Sequence, residues 1–587
     1  MRSPLPRTIL IRLETGRLVV YSLLAGGLVG LLGSAWRPVL EGALNLGARL
    51  LGYRPPGTAG EGGLLIAFGD LAPTVLLVLP LLAALYALLM PRGRQSDPLD
   101  AVVAGYHARG EWGGPLPQLR GLLATVTGHA GGLLVGRDST FTALGGLAAL
   151  LLGRLARLDP AERRILTLAC VAAALGLVLH APLAAAVLMA EVLYRRFEFE
   201  FEVLMPCVLA AVCASAVSGL IGGFDPLFAL TGTLTPTAGQ LPVYLLLAAT
   251  VTLLSWVLTL VTTSVHTLYT GLQDRLSGWR PTALRALLGA MFGLTVAIIA
   301  LGSTPSVLGD GAGWLQLSVS GFTGEESGGM AAWRWLLLAL GMPLAFGGGV
   351  LVSASMGGLL GVGLASLLGT WGLNVDFPVA ALIGAASCLT VTLNVPVAAA
   401  LLAVTWGGDA LLPAALASTA LAHSLSGEAS LLPGQVSRRS DSRAHAAALP
   451  TVLGRVNAPL RPLQAAALTR AATGTPIPGT PGSMTSGPAL PEPATGDAPP
   501  ASPATPEAEV PQRRQLYRHD LPRSWQGARV NLITLPLGIE LLSVVRAGQA
   551  RLATPDLRLA AGDELLLLCT PGEFQAWQTS IRAVGQA

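Results

Sequence analysis

LHAPLAAAVL, at residues 179–188, returns as LNVPVAAALL at residues 393–402. Upstream of each copy, at nearly the same distance from it, lies a Gly-Gly pair between large apolar residues, LGGL at 144–147 and MGGL at 356–359. Two matches at nearly equal separation indicate that a whole unit of several helices has been duplicated. The alternative is a chance similarity between two segments rich in Ala and Leu.

The composition is typical of a membrane protein. Apolar residues make up 52% of the chain and charged residues 12%, which is roughly half the charged fraction of a soluble protein. Many apolar stretches are shorter than the roughly 20 residues that cross a bilayer, or are broken by Gly or Pro. Such breaks are tolerated only inside protein or along a watery cavity. An all-α polytopic transport core is therefore expected, with apolar stretches near 18–35, 64–90, 118–135, 140–155, 165–194, 203–222, 241–272, 283–302, 332–346, 349–369, 377–407 and 410–425.

The placement of arginines orients the predicted spans. Arginines precede the first span and follow the last, whereas residues 303–331 contain three carboxylates and no arginine. The positive-inside rule then predicts that both termini are cytoplasmic, with residues 1–16 as the N-terminal segment. Arg37, Arg49 and Arg54 in the first predicted outer loop oppose this orientation. We expect an integral protein of a bacterial inner (plasma) membrane.

The composition changes after about residue 446. Residues 446–512 are predicted to be a disordered linker, because most of this segment is rich in Pro, Ala, Thr and Gly and poor in aromatics. Residues 513–587 regain short strand patterns, which predict a small α/β cytosolic domain. Its predicted elements are strands at Val530–Pro536, Leu541–Val545 and Leu565–Cys569, a turn at 560–563 and a closing helix at 571–584.

Helix breaks in duplicated halves suggest the chemistry of the cargo. In such proteins the N-termini of half-helices converge near the middle of the membrane. Their free N–H groups and partial positive charge favour an anion. The sequence shows no nucleophile–base pair, no metal-ligand spacing and no phosphate-binding loop, so we expect no enzyme activity, cofactor or metal. The slight positive net charge is not a nucleic-acid footprint, and no nucleic-acid partner is expected.

Four motifs carry a family resemblance: GRDST at 136–140, FGGGVLVS at 346–353, the two proline turns at 181–184 and 395–398, and Ser96 before Asp97-Pro98. They resemble the Gly-Arg-Glu-Gly-Pro, Gly-Gly-x-Phe-x-Pro, paired Ala-Pro-Leu and Gly-Ser-Gly-x-Pro motifs of the CLC family of chloride channels and proton–chloride antiporters. The resemblance covers roughly residues 15–445. It implies a CLC-type inverted-repeat core over 17–445, with halves at about 64–222 and 283–440, and a homodimer with one pathway per subunit.

The same resemblance implies a gate and an anion pathway. Asp138 stands where the family has its outer gating carboxylate, which competes with chloride and swings away when protonated; the alternative is a helix-start Asp that caps free N–H groups. Arg137 either adds positive potential or braces a loop. Backbone N–H groups at Val350 and Leu351 serve the anion whatever their side chains. The implied pathway residues are Ser96, Gly136, Arg137, Ser139, Gly349, Val350, Leu351 and Leu432.

Two departures from the family pattern stand out: the first weakens the expected proton coupling, and the second removes a ligand of the central anion site. The inner proton-transfer Glu falls at Val192, which leaves Glu191 as either a proton relay or a salt-bridged structural group. The inner chloride-coordinating Tyr falls at Leu432, which has no hydroxyl to donate. His180 and Asn394 beside the paired prolines are interpreted as polar groups at helix breaks, with ligands as the alternative.

The last residues resemble the TrkA C-terminal (RCK-type) module through VVRAG at 544–548, LAAGDE at 559–564 and the strand and Thr-Pro that follow. That resemblance implies a module that binds a small ligand or dimerises.

We therefore predict that the protein transports small anions, with chloride as the main candidate, as a gated channel or a weakly proton-coupled transporter. One alternative is a tightly coupled proton/chloride antiporter that uses Asp138 with Glu191 or a water chain. Another is a transport-inactive scaffold or sensor that signals through the C-terminal domain. The expected partners are small anions, protons, the lipid bilayer and a second copy of the chain.

Overall fold

A computed structural model describes residues 7–61, 66–90, 97–108, 114–155 and 158–446, together with parts of 515–577. The chain forms two compact units, one within Met1–Thr475 and one within Pro476–Ala587. Ser96 and almost all of the predicted linker lie outside the described residues. The first unit is helical and the second contains a small sheet.

The first unit consists of apolar helices separated by turns and loops, as the alternation of apolar runs with Gly and Pro predicted. Its helices are α1 Arg7–Leu51, α2 Val75–Leu89, α3 Pro98–His107, α4 Pro115–Ala130, α5 Arg137–Leu155, α6 Pro160–Leu179, α7 Pro182–Glu191, α8 Phe201–Gly222, α9 Leu241–Asp274, α10 Arg280–Gly302, α11 Ala312–Val319, α12 Glu326–Gly341, α13 Val350–Thr370, α14 Phe377–Thr392, α15 Pro396–Gly407, α16 Leu412–Ser426 and α17 Arg443–Ala446.

The order of the helices repeats. The seven helices from α2 to α8 correspond in order to the seven from α10 to α16, and in both sets the second and sixth are short. Equivalent helices of the two sets pack on each other, α2 on α10 and α7 on α15. The predicted duplicated helical fold is therefore confirmed, while the limits of the two halves stay predictions.

The two proline turns have the same backbone. His180 and Asn394 are both left-handed, with φ of 51° and 57°. Ala181 and Val395 follow with φ of −141° and −133°, and the proline then begins a short helix. A residue before proline avoids the helical region, and proline suits the first position of a helix. The repeated sequence thus encodes one turn twice.

The repeated Gly-Gly pairs mark close helix contacts. A Cβ on Gly145 would lie 2.9 Å from the Cys170 carbonyl oxygen on α6, and one on Gly357 would lie 2.5 Å from the Gly384 carbonyl oxygen on α14. Small residues let helix backbones approach each other closely in membranes. The first pair therefore lets α5 pack closely against α6, and the second lets α13 pack closely against α14.

Five helical segments in the described ranges are long and apolar enough to span a bilayer: Gly16–Leu51, Phe201–Gly222, Ala238–Asp274, Arg280–Gly302 and Val350–Thr370. Others, such as Pro182–Glu191 and Pro396–Gly407, are apolar but shorter. This mixture agrees with the predicted broken helices. The prediction that Arg37 and Arg49 lie in an outer loop was wrong, because both residues belong to α1, which continues to Leu51. Arg37 donates to the Leu177 carbonyl at 3.2 Å, so this arginine packs against α6.

The C-terminal unit has one antiparallel sheet, in the order β1-β4-β2-β3. The strands are β1 Gln515–Asp520, β2 Glu540–Arg546, β3 Gln549–Leu552 and β4 Glu564–Cys569. Along β4 buried residues alternate with partly exposed ones, although every residue from 565 to 568 is Leu. Asp563 in the predicted turn is buried and accepts two hydrogen bonds from the Arg546 guanidinium, at 2.7 and 2.8 Å.

The sequence reading of this unit was partly wrong. Two predicted strands are β2 and β4, but the predicted strand at 530–536 is irregular at its described residues, and β1 and β3 were not predicted. The described residues of the predicted closing helix, 573–575 and 577, are helical, and the rest of it lies outside the described ranges.

Replacing Gly357 should loosen the α13–α14 contact. In Gly357→Val the new Cβ would lie 2.3 Å from the Cys388 Cβ, and overpacking of this kind costs about 1–3 kcal/mol. We expect a lower thermal unfolding midpoint for the purified protein in detergent. Gly271→Val on α9, where a Cβ has no neighbour within 4 Å, is the matched control. Equal midpoints for the two variants would contradict the packing role.

Candidate functional site

Three helix starts from distant parts of the chain meet inside the first unit. They are the first turn of α5 with Asp138, the first turn of α13 with Val350, and the start of α3 with Asp97. Short helices and breaks bring these N-termini into the interior instead of leaving them at a membrane surface. Unpaired N–H groups and the helix dipole make each of them a favourable place for negative charge.

Asp138 lies at the centre of this meeting point. Its side chain is buried, and one carboxylate oxygen accepts a hydrogen bond from the Val350 amide at the start of α13. The other oxygen, Oδ1, has no hydrogen-bond partner among the described residues. The first turns of α5 and α13, which are equivalent helices of the two sets, are therefore joined through one carboxylate.

Glycines make room for that carboxylate. A Cβ on Gly136 would lie 2.0 Å from Oδ1 of Asp138, and one on Gly349 would lie 2.5 Å from Oδ2. Gly349 also has φ of 108°, a conformation that residues with a Cβ rarely adopt. The structure thus brings together four predicted site residues, Gly136, Asp138, Gly349 and Val350.

Ser139, also a predicted pathway residue, turns toward a group that the sequence reading missed. Its hydroxyl donates to the Asp97 carboxylate at 2.7 Å and also lies 3.5 Å from the Gly348 carbonyl oxygen. Asp97 caps α3 through the Leu99 amide at 3.2 Å and is buried. The signal was present in the sequence, because an Asp-Pro helix start directly follows Ser96, the residue predicted for the anion loop.

Arg137 points into an ionic cluster. Its Nε donates to the Asp310 carboxylate at 2.8 Å. Its Nη1 pairs with Glu61 and lies 3.4 Å from the Thr58 hydroxyl. Asp310 in turn accepts from the Ala312 amide at the start of α11. These contacts agree with the alternative in which Arg137 braces loops. Its contribution to the potential of the pathway stays a prediction.

Glu191 is buried at the end of α7 and binds the start of α15. Its two oxygens accept hydrogen bonds from the Val397 amide at 3.0 Å and the Ala398 amide at 2.8 Å. It forms no ion pair with a described residue: Arg195 donates to the Leu432 carbonyl and Arg196 pairs with Glu428. The carboxylate is therefore a helix cap between the two halves, where the sequence reading offered a relay or a salt bridge.

Leu432 is buried in the segment after α16 and contacts the site indirectly. Its amide donates to the Ser430 hydroxyl at 3.1 Å. Nearby, the Gly434 amide donates to Asp100 on α3 at 2.7 Å. Leu351 is buried in the first turn of α13. The segment thus joins the site through α3, and no described hydrogen bond links it to Asp138.

Removing the Glu191 cap should destabilise the protein. Glu191→Ala leaves unpaired the amides of half-buried Val397 and buried Ala398 on α15, and an unpaired buried donor costs about 1–3 kcal/mol. We expect a lower unfolding midpoint in detergent, with Glu191→Gln between Ala and the native protein because one oxygen remains. Glu325→Ala, at an exposed position before α12, serves as the control. A Glu191→Gln variant with native stability and altered proton flux would instead support the relay.

Comparison with known proteins places this geometry in a family. Residues 81–427 match the family model described as voltage gated chloride channel. A chloride/fluoride channel protein of Pseudomonas syringae pv. tomato (strain ATCC BAA-871 / DC3000) is 28% identical over 320 residues, which cover 54% of this chain and 67% of that protein.

Solved structures have the same fold. A CLC-type fluoride/proton antiporter superposes with a TM-score of 0.58 at 19% identity, covering 73% of this chain and 99% of that one. A slow cyanobacterial Cl⁻/H⁺ antiporter gives 0.55 at 19% identity, covering 70% and 95%. Both findings confirm the predicted resemblance of the membrane part, whereas the TrkA C-terminal resemblance stays a prediction. The chain belongs to the voltage-gated chloride channel family and is an integral membrane protein of the CLC fold.

Proposed function

We propose that the chain carries chloride or fluoride along the meeting point of α3, α5 and α13, with Asp138 as the gate. The observation that carries this proposal is the bond between the Asp138 carboxylate and the Val350 amide. A carboxylate oxygen on a helix N-terminus occupies a position suited to any small anion. Asp138 therefore stands in for a transported anion, and one must leave before the other binds.

The remaining donors suit a small anion as well. Gly347, Gly348 and Gly349 precede the first turn of α13, so no side chain of these three residues covers the amides that begin the helix. Backbone donors bind an anion whatever the neighbouring side chains are. The loss of the family tyrosine at Leu432 removes one hydroxyl donor and leaves the backbone as the main source of hydrogen bonds.

Weak proton coupling is the form of transport that the contacts favour. Val192 has no ionisable group that could carry a proton, and both carboxylate oxygens of Glu191 accept hydrogen bonds from α15 amides. The relatives carry both kinds of name, a channel protein and two proton antiporters. A tightly coupled antiporter remains the alternative, with Asp138 and a water chain as the proton path.

The further assignments concern assembly and placement. We propose a homodimer in a bacterial inner membrane with both termini in the cytoplasm, from the family likeness and the arginine distribution. We also propose that the C-terminal unit is a regulatory module that binds a small ligand or dimerises. The alternative is a transport-inactive scaffold or sensor, and anion flux from liposomes distinguishes it from a transporter.

Purified protein in liposomes should release chloride or fluoride faster than empty vesicles do. Ion-selective electrodes measure the anion while a pH electrode records protons. Weak coupling predicts a reversal potential near the equilibrium potential of the anion, and tight antiport predicts one displaced by the pH gradient. Release no faster than from empty vesicles for both anions would refute the transport proposal and favour the scaffold.

Neutralising Asp138 should alter the gate. In the native protein we expect flux to rise as pH falls, because a protonated carboxyl no longer competes as an anion for the α13 amides. Asp138→Asn should raise flux at neutral and alkaline pH and flatten the pH profile. Asp409→Asn, at an exposed position before α16, should behave as the native protein does. An Asp138→Asn profile that overlays the native one would remove the gate assignment.

A further inference from the structure

Two buried carboxylates, not one, lie at the candidate pathway. Asp97 and Asp138 are 3% and 1% exposed, and they come from helix starts that lie far apart in the chain. The family resemblance points to Asp138 and to Ser96, but it assigns no role to Asp97. The structural alternative is that Asp97 is a simple helix cap, which is a common role for Asp.

A cap accounts for only part of the contacts of Asp97. Oδ2 accepts from the Leu99 amide at 3.2 Å, which is the capping bond. Oδ1 accepts from the Ser139 hydroxyl at 2.7 Å, and Ser139 follows Asp138 directly in the first turn of α5. Capping would be satisfied by Ser, Thr or Asn. The second bond ties Asp97 to the helix turn that holds the gate.

Adjacent glycines accommodate the two carboxylates. A Cβ on Gly348 would lie 2.5 Å from Cγ of Asp97, and one on Gly349 would lie 2.5 Å from Oδ2 of Asp138. Consecutive Cα atoms are about 3.8 Å apart, so both acids face one short stretch of backbone before α13. Oδ1 of Asp138 is buried there without a hydrogen-bond partner among the described residues.

The charged and titratable groups around the pair are engaged elsewhere. Arg137 on α5 pairs with Asp310 and Glu61. Tyr86 on α2 donates to the Ala345 carbonyl, and His129 on α4 contacts the Val135 carbonyl at 3.3 Å. On α3 itself, Asp100 accepts from the Gly434 amide. Within the described ranges, which omit residues 91–96, neither acid of the pair forms an ion pair.

Electrostatics then limits which states admit an anion. Two ionised carboxylates in a buried site repel each other, and each repels an entering anion. Binding of protons removes both repulsions. From this geometry we infer that Asp97 is a second proton-binding group of the anion pathway, and that an anion occupies the site only when Asp97 and Asp138 are both neutral. The inference rests on the proposed transport function.

Flux measured against pH in liposomes tests the pair. If two protons are required, the native flux should fall by up to about hundredfold for each unit that the pH rises on the alkaline side. Each required proton contributes about tenfold to this limit. Asp97→Asn and Asp138→Asn should each reduce the limit to about tenfold, and the double variant should show little dependence on pH. Asn keeps the shape of Asp97 and an oxygen for the α3 cap.

The matched control is Asp159→Asn. Asp159 also begins a helix as part of an Asp-Pro pair, before α6, but it is exposed and lies past the C-terminal end of α5, whereas the site residues of α5 lie in its first turn. Asp97→Ser is the second variant, because Ser is also a good cap and removes the carboxylate. Elution on size exclusion shows which proteins are folded.

The outcomes separate the two proposals. Flattened profiles for Asp97→Asn or Asp97→Ser, with a native profile for Asp159→Asn, support the inference. Anion flux in which both Asp97 variants keep the native steepness overturns the inference and leaves the transport proposal intact. If Asp138→Asn alone abolishes the pH dependence, the inference about Asp97 is likewise overturned and the transport proposal is again left intact. Absence of flux from the native protein at every pH overturns both.

Discussion

The hydrogen bond between the Asp138 carboxylate and the Val350 amide is the contact on which the interior of the membrane unit depends. It joins the first turns of two equivalent helices, α5 and α13, one from each half of the duplicated fold. A carboxylate there requires glycine on both sides, at Gly136 and Gly349, because any Cβ would overlap its oxygens. It also requires that α5 and α13 begin inside the protein. The helix breaks before α5 and α13 and the glycines beside Asp138 provide that placement.

Buried charge in this unit is satisfied mainly by backbone at helix ends and loops. Glu191 binds two amides of α15, and Asp310 binds the first turn of α11 as well as Arg137. Arg334 has no exposed surface and donates to the carbonyls of Ser306 and Gly309. An unpaired charge in such an interior is costly. Helix ends offer unpaired backbone N–H and C=O groups, whereas those groups bond to each other inside a regular helix. Interrupted helices thus solve a solvation problem as well as supplying the helix N-termini of the proposed anion site.

The sequence predicted the features that depend on local chemistry or on repetition. The two proline turns were visible as a repeated motif with its own physical cause. The Gly-Gly pairs were recognised as part of the repeat, although their close helix contacts were not predicted, and Asp138 was singled out by the family resemblance. Partnerships across long separations were not predicted, as Arg137 with Glu61 and Glu191 with α15 show. Asp97 was passed over because an Asp before Pro is an ordinary helix start, and only its contact with Ser139 distinguishes it. The strands β1 and β3 were missed because they are short and carry Arg, His or Gln among their apolar residues.

The short helix α3 has a mechanical consequence. One end carries Asp97, and at the other end the His107 ring contacts the Ser442 hydroxyl at 2.8 Å and the Leu193 carbonyl at 3.0 Å. Ten residues of α-helix span only about 15 Å, and a helix of that length behaves as a stiff strut. Ser442 lies four residues before Ala446, the last described residue of the membrane unit. Through α3, the candidate site is therefore connected to the last described residues of the membrane unit, about 15 Å away from Asp97.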